Sequence, residues 1–133
     1  MSFETVIQSN IYAAISGVIS VPVYDQAPQD APFPYVTIGD ASAVDNDTDT
    51  DDTQLTNYTL HVWTRPDSGM KIFGKKEAQL IIGELKEALH LLKFSEAGYT
   101  FTENYRLTTD CFVDSDGKTF HGTITFKLNI SKV

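Results

Sequence analysis

The chain has 133 residues, 18 acidic side chains against 10 basic ones, and a net charge of −8. This length suits one domain with a core of its own, over residues 1–133, and the hydrophobic content of 41% excludes a disordered chain. The net negative charge excludes the basic surface that nucleic-acid binding requires. The sequence has no long apolar run and no basic leader, so we expect neither a membrane-spanning segment nor a secretion signal.

The first part of the chain predicts an amphipathic helix over residues 3–19. Its apolar residues recur at three- and four-residue spacing, which places them on one face of a helix. They are Phe3, Val6, Ile7, Ile11, Ala14, Ile15, Val18 and Ile19. Prolines then interrupt the pattern, and residues 34–38 are the next strand candidate.

The following segment concentrates the negative charge of the chain. Residues 40–52 contain six aspartates and no lysine or arginine, so the rest of the chain sums to −2. The segment has no apolar period, which predicts an acidic loop at about 40–53.

Part of this loop resembles a calcium-binding loop. Asp45, Asp47 and Asp49 match the first three ligand positions of an EF-hand. Thr50 and Thr56 stand where that loop needs a glycine and a bidentate glutamate, and strands rather than helices flank it. A solvated loop is therefore the favoured interpretation, and calcium binding is the alternative.

The middle of the chain predicts a strand followed by a helix. Residues 54–64 alternate between apolar and polar side chains, as a half-buried strand does. Residues 70–92 have a helical stripe, formed by Ala78, Ile81, Leu85, Ala88, Leu89 and Leu92. Gly83 interrupts this helix at a cost of up to about 1 kcal/mol relative to alanine, unless close packing requires it.

The last part of the chain predicts a hairpin. Residues 99–113 alternate as one long strand, residues 114–118 have the composition of a tight turn, and the alternation resumes from Phe120 to Ile130. The whole order predicts an α+β fold, in which an antiparallel sheet of about four strands has two helices packed on one face.

No arrangement of residues predicts catalysis, so we expect a protein that is not an enzyme and has no cofactor or metal. Cys111 is predicted on the apolar face of its strand, where a thiol is usually inert. His61 and His121 are predicted on polar strand faces, and His90 near a helix end. The sequence contains no phosphate-binding glycine loop and no nucleophile elbow.

Two features have both a structural and a functional interpretation. Trp63 is either a residue that covers the core or an anchor in a protein interface. Lys71, Lys75 and Lys76 form either a solvated face or a surface for an acidic partner, and the chain carries such an acidic surface itself.

One stretch resembles the tail-completion proteins, the tail terminators of long-tailed phages and of related gene transfer agents. The residues that carry this resemblance are Tyr24, Asp25, Pro28, Phe33, Pro34, Tyr35 and, at the end of a later strand, Trp63. The second helix and the closing strands follow in the same order, so the resemblance covers nearly the whole chain.

The resemblance implies a structural role in the virion. It implies a homo-oligomeric ring, typically a hexamer, that caps the head-proximal end of the tail tube and ends tube polymerisation. The implied partners are other copies of the chain, the tail tube protein and the head–tail connector or stopper protein. DNA would pass through the lumen without sequence-specific binding, and the ring would assemble in the host cytoplasm.

The resemblance assigns no role to the acidic loop, and two placements are open. Its aspartates either line the lumen or rim of the ring, or contact the neighbour's cluster of Lys71, Lys75 and Lys76. The candidate aspartates are Asp45, Asp47, Asp49, Asp51 and Asp52. The alternative function is a small acidic binding module, possibly calcium-dependent, that forms no ring.

Overall fold

Two helices and six strands make up the described part of the computed structural model. The structure describes residues 3–45, 53–66, 74–90, 97–102, 108–113, 115 and 117–132. The elements in chain order are α1 (Phe3–Ile15), β1 (Val23–Tyr24), β2 (Tyr35–Asp45), β3 (Thr53–Thr64), α2 (Gly74–His90), β4 (Tyr99–Thr102), β5 (Thr108–Val113) and β6 (Phe120–Lys132).

The strands form one mixed sheet in the order β1-β2-β3-β6, and β4 and β5 both pair with β6. β1 is parallel to β2, whereas the other pairings among the described strands are antiparallel. The α+β class is confirmed, but the prediction of about four antiparallel strands is wrong. The two residues of β1 are too few for a periodic pattern, and β6 is long enough to pair with two short strands along one edge.

The predicted strand over residues 99–113 is two strands. β4 pairs with the end of β6, where Tyr99 lies opposite Lys132. β5 pairs with the beginning of β6, where Val113 lies opposite Phe120. The predicted hairpin therefore joins β5 to β6. Gly117 in this turn has φ of +70°, a conformation that residues with a side chain rarely adopt.

The predicted acidic loop is shorter than its composition indicates. β2 continues through Asp45, which lies opposite Gln54, so residues 40–45 belong to a strand. The reason is that β3 is paired with β6 from Thr53 onward, and β2 pairs with the other edge of β3 as far as Asp45, with a register shift between Gly39 and Ala41. The remaining loop residues, 46–52, lie outside the described residues.

The core lies between the helices and one face of the sheet. Val62 on β3, Ile124 on β6, Ile7 on α1 and Leu85 on α2 are all fully buried in one cluster. α1 ends at Ile15, four residues earlier than predicted, and α2 agrees with the predicted helix over Gly74–His90. Neither described helix is long and apolar enough to cross a membrane.

Two glycines of this region, Gly122 and Gly83, differ in the space that surrounds them. A side chain at Gly122 would place its Cβ 2.7 Å from Cδ1 of Ile82, so α2 lies close to β6 here and the end of the Ile82 side chain would have to move. A Cβ at Gly83 would meet no atom within 4 Å, so no close packing requires that glycine.

Gly83→Ala is therefore expected to stabilise the protein by about 0.5–1 kcal/mol, because alanine restricts the unfolded chain and favours the helix. Urea denaturation compared with wild type measures this difference. The matched Gly122→Ala variant, in which the end of the Ile82 side chain has to move, is expected to be less stable than the Gly83→Ala variant. A destabilised Gly83→Ala protein would contradict the open surroundings described for this residue.

Candidate functional site

A row of aromatic rings crosses the face of the sheet that no described helix covers, here called the open face. Tyr35 of β2 lies opposite Trp63 of β3, Trp63 lies opposite His121 of β6, and His121 lies opposite Phe112 of β5. These four residues are called the aromatic row. They alternate along their strands with buried residues such as Val36 and Val62, so their side chains leave the sheet on the opposite side.

Trp63 is the centre of the aromatic row. Its ring stacks on His121, with centroids 3.9 Å apart and an angle of 14° between the planes. Its indole N–H donates to Oγ1 of Thr37 at 3.1 Å, which fixes the ring to β2 as well as to β6. Of the two interpretations of Trp63, the structure places it on the open face, half-buried, rather than over the helix-side core.

A pair of histidines extends the aromatic row along the strands. Nδ1 of His61 and Nε2 of His121 lie 2.6 Å apart, so one ring donates a hydrogen bond to the other. The ring of Phe112 lies 4.8 Å from that of His121, at 58°. The next position along the strands holds Thr59 and Thr125, whose hydroxyls share a hydrogen bond at 3.1 Å.

The family-like motif forms the β2 end of the aromatic row. The ring of Tyr35 lies 5.2 Å from that of Phe33 and 5.9 Å from that of Tyr24. The guanidinium of Arg65 lies 4.4 Å above the Phe33 ring, a favourable cation–π geometry, and its Nε donates to Oγ1 of Thr119. These contacts tie the motif to the ends of β3 and β6.

The other motif residues lie around β1. Asp25 follows β1 and accepts a hydrogen bond from Nε2 of Gln8 on α1, at 2.6 Å between Oδ1 and Nε2. The carbonyl of Pro28 accepts the N–H of Ala31 in the turn that follows. The Phe33–Pro34 peptide bond is cis. The structure therefore brings Tyr24, Phe33, Tyr35 and Trp63 together and places Asp25 on the other side of β1, facing α1.

The open face has the properties of a protein-binding surface. Its rings are held by stacking and hydrogen bonds on a sheet, so little conformational freedom is lost when a partner binds. Aromatic residues are enriched and charged residues depleted at the centres of protein interfaces. The centre of this face, at Trp63, His121, Thr59 and Thr125, carries no carboxylate, whereas Asp110 lies on the same face at its β5 edge.

The acidic and basic candidates lie at opposite ends of the sheet. Asp45 lies where β2 and β3 leave the acidic loop, whereas the buried Thr64, at the far end of β3, donates its hydroxyl to the carbonyl of Gly74. Lys75 and Lys76 follow Gly74 and are exposed. Because a strand rises about 3.3 Å per residue, the 12 residues of β3 separate the two groups by roughly 35 Å.

Most of the other acidic and basic candidates lie outside the described residues, and the calcium interpretation of Asp45 has to be revised. Asp47, Asp49, Asp51, Asp52 and Lys71 lie outside the described residues. Asp45, the first ligand in the calcium interpretation, is paired within the β2–β3 ladder. Among the described residues, no group of three or more histidine, cysteine, aspartate and glutamate side chains is placed to hold a metal ion.

The structure separates the residues of the imagined nucleophilic site. Cys111 lines a groove with Lys75 and Ile82 on the helix side of β5, whereas His61 and His121 lie on the open face. Burial raises the pKa of the Cys111 thiol, an effect that exceeds the opposing charge of nearby Lys75. A thiol with a raised pKa is less nucleophilic at neutral pH, and no described histidine reaches it on its own face.

Sequence reasoning missed two members of the site, His121 and Phe112. Both positions were predicted to be in strands, but their contact with Trp63 depends on the register between β3 and β6, which are separated by more than 50 residues. The sequence did contain one signal: Trp63 and His121 both carry rings on the polar faces of predicted strands, and Phe112 lies in a third.

Comparisons with known proteins agree with one another. A family model described as "Tail completion protein gp17" matches residues 9–131. The "Tail completion protein gp17" of Bacillus phage SPP1 is 31% identical over 103 residues, which are 77% of this chain and 72% of that protein.

Two solved structures have the same fold. A chain of the "Virion of native gene transfer agent (GTA) particle" gives a TM-score of 0.67 at 16% identity, with 98% of this chain and 99% of that chain covered. The "Structure of bacteriophage SPP1 gp17 protein" gives a TM-score of 0.52 at 24% identity, with 94% and 85% covered.

Proposed function

The chain belongs to the tail completion protein gp17 family, and from this membership we propose that it forms a ring on the head-proximal end of a tail tube. The ring ends tube polymerisation and joins the tail to the head connector or stopper protein. The chain is a structural tail-completion protein of a virion, and its role in the ring is carried by protein contacts rather than by catalysis.

The aromatic row is the observation that supports a role in protein contacts. A partly buried tryptophan stacked at 3.9 Å on a neighbouring histidine is a rigid anchor of the kind that dominates binding energy in interfaces. We assign the open face to the contact with the neighbouring tail protein at the end of the tube. The motif residues Tyr24, Phe33 and Tyr35 extend the same surface toward β1.

The size of one copy supports a ring. A compact chain of this length has a radius of gyration of about 14 Å, so a single copy has no room for a duplex to pass through it. A ring of six copies encloses a lumen through which DNA passes without sequence-specific contacts. The net charge of −8 on each copy repels DNA and keeps it from binding in transit.

Electron microscopy of the purified protein mixed with its tail tubes tests this proposal. Rings or caps at one end of each tube, and tubes that stop growing when the protein is added to polymerising tube protein, are the expected result. Tubes that remain uncapped and reach the same length with and without the protein would overturn the proposed function.

The acidic loop is assigned to the lumen or rim of the ring. If the strands run along the axis of a cyclic ring, the ends of β2 and β3 that border the loop would lie level with those of the neighbours and about 35 Å from their Lys75 and Lys76. Each copy would bring the five aspartates of residues 45–52 to this annulus, where they repel DNA phosphates.

A triple charge reversal, Asp47→Lys, Asp49→Lys and Asp51→Lys, is therefore expected to leave ring formation on tubes intact. The measurement is the fraction of capped tubes at low salt, where any loss of charge attraction between copies is largest. A variant that stays monomeric and leaves tubes uncapped would instead favour contact of the loop with a neighbour's lysines. The same variant with Ser in place of Lys at the three positions is the control for charge gain.

A further inference from the structure

We infer that the partner bound by the open face carries a carboxylate, which binds the guanidinium of Arg65 while an apolar side chain of the same partner packs on Trp63. This inference deepens the proposed function and rests on it, because it names the chemistry of the tail protein that contacts the aromatic row. Tryptophan, tyrosine and arginine are the residue types most enriched among those that dominate binding energy in interfaces. One of each lies at the same end of the open face, as Trp63, Tyr35 and Arg65.

Arg65 lies at the border of the aromatic row. It comes directly after β3 and two residues beyond Trp63, which places it roughly 7 Å further along the strand. Its guanidinium lies 4.4 Å above the ring of Phe33, and that ring lies 5.2 Å from the ring of Tyr35. Arg65 is exposed. A partner that covers both Trp63 and Tyr35 would therefore cover the guanidinium as well.

Two contacts hold the guanidinium in place before a partner binds. Nε of Arg65 donates a hydrogen bond to Oγ1 of Thr119 at 3.0 Å, and Thr119 is only 3% exposed. The ring of Phe33 lies against the guanidinium in a cation–π contact. Much of the conformational freedom of this long side chain is therefore already lost, so an incoming group binds it at a smaller entropic cost.

A carboxylate is the group that fits this position. A partner that covers the aromatic row removes water from Arg65, and a charge that loses its water is costly unless an opposite charge and hydrogen bonds replace that water. A guanidinium presents its N–H donors in a planar fork, and one carboxylate accepts two of these hydrogen bonds at once. We therefore expect an aspartate or glutamate of the partner at this point, next to the apolar group that meets Trp63.

The charges at the borders of the open face favour one orientation of the partner. Asp110 lies on the same face at its β5 edge, and β6 separates that edge from β3. A carboxylate of the partner is attracted to the end of the face at Arg65 and repelled from the β5 edge. On a chain with a net charge of −8, a carboxylate in any other register faces repulsion without this local attraction. Arg65 thus contributes to specificity as well as to affinity.

Removal of this single charge tests the inference. Arg65→Met keeps a long side chain beside Phe33 but removes the guanidinium. We expect the protein concentration that caps half of the tail tubes at low salt to rise at least about tenfold in Arg65→Met, and about a hundredfold in Arg65→Glu. Capping by the wild-type protein should weaken as salt rises, because salt screens an ion pair at the border of an interface. Arg65→Met should lose most of this salt dependence.

Lys127→Met is the matched control. Lys127 is exposed on the same face, opposite Asn57 and roughly 20 Å along the strands from the aromatic row. This substitution removes the same charge from the chain, so it reproduces any effect of net charge alone. We expect it to cap tubes within about twofold of the wild-type concentration, with unchanged salt dependence. Arg65→Lys keeps the charge without the fork, so we expect it to retain the salt dependence and to lose less affinity than Arg65→Met.

Urea denaturation of each variant separates lost binding from lost stability, and capping is compared where all variants are folded. Wild-type protein that caps tubes, together with Arg65→Met protein that caps them at the same concentration, would overturn this inference and leave the proposed function intact. Equal losses in Arg65→Met and Lys127→Met would show an effect of net charge, and a loss with unchanged salt dependence would assign Arg65 to the packing of the aromatic row. Either result would also overturn the inference. Wild-type protein that leaves tubes uncapped would overturn the proposed function and this inference with it.

Discussion

Trp63→Ala is expected to lower the free energy of unfolding by about 2–3 kcal/mol and to abolish capping of tail tubes. The substitution removes a ring stacked at 3.9 Å on His121 and a hydrogen bond of 3.1 Å to Thr37. An aromatic pair contributes about 0.5–1.5 kcal/mol beyond its buried area, and a hydrogen bond about 0.5–1.5 kcal/mol. The lost apolar burial accounts for the rest.

The loss of capping is expected because Trp63 holds the aromatic row together. Without its ring, His121 keeps its contacts with His61 and Phe112 but is no longer fixed to β3 by stacking. The open face then has to be ordered when a partner binds, which costs binding energy. Capping should be measured at a temperature where the variant is still folded, so that lost binding is separated from lost stability.

Trp63→Phe is the matched control for this prediction. Phenylalanine keeps an aromatic ring over His121 but cannot donate to Thr37, so a loss of at most about 1.5 kcal/mol and partial capping are expected. Urea denaturation followed by circular dichroism is the suitable measurement, because Trp63 is the only tryptophan and its fluorescence is lost with it. Equal stability of the alanine variant and wild type would show that the stack contributes nothing to the fold.

The open face also shows what the sequence could and could not predict. The alternation of β3 put His61 and Trp63 on a face opposite Leu60 and Val62, and the alternation of β6 did the same for His121. These are local patterns with a period of two, and they are confirmed. That Trp63 meets His121 could not be predicted, because it depends on a register fixed by residues more than 50 positions apart.

The departures from the predicted fold have the same origin. Residues 40–45 have the composition of a loop, yet they form a strand because a neighbouring strand satisfies their backbone groups. The predicted strand over residues 99–113 is divided because β6, with 13 residues, offers places for two partners. In each case long-range pairing overrides local preference, and no window of a few residues contains that information.

Both helices were predicted, although α1 ends four residues earlier than expected, because their information is local. A pair of leucines on α2 tests the predicted buried face. Leu85 is fully buried and belongs to the core cluster, whereas Leu80 on the same helix is 63% exposed. Leu85→Ala is expected to lower the free energy of unfolding by about 2–5 kcal/mol, because it removes apolar burial and leaves a cavity. That is a large share of the roughly 5–15 kcal/mol by which a domain is usually stable.

Leu80→Ala is expected to change stability by no more than about 0.5 kcal/mol, because its side chain is mostly in water in both states. Since both substitutions exchange the same residue types in one helix, their difference isolates burial from helix propensity. Urea denaturation of both variants in parallel gives the two values. Losses of stability of equal size would contradict the packing of α2 on the sheet. If the Leu85→Ala protein caps tubes only below its lowered unfolding temperature, ring assembly requires the folded chain.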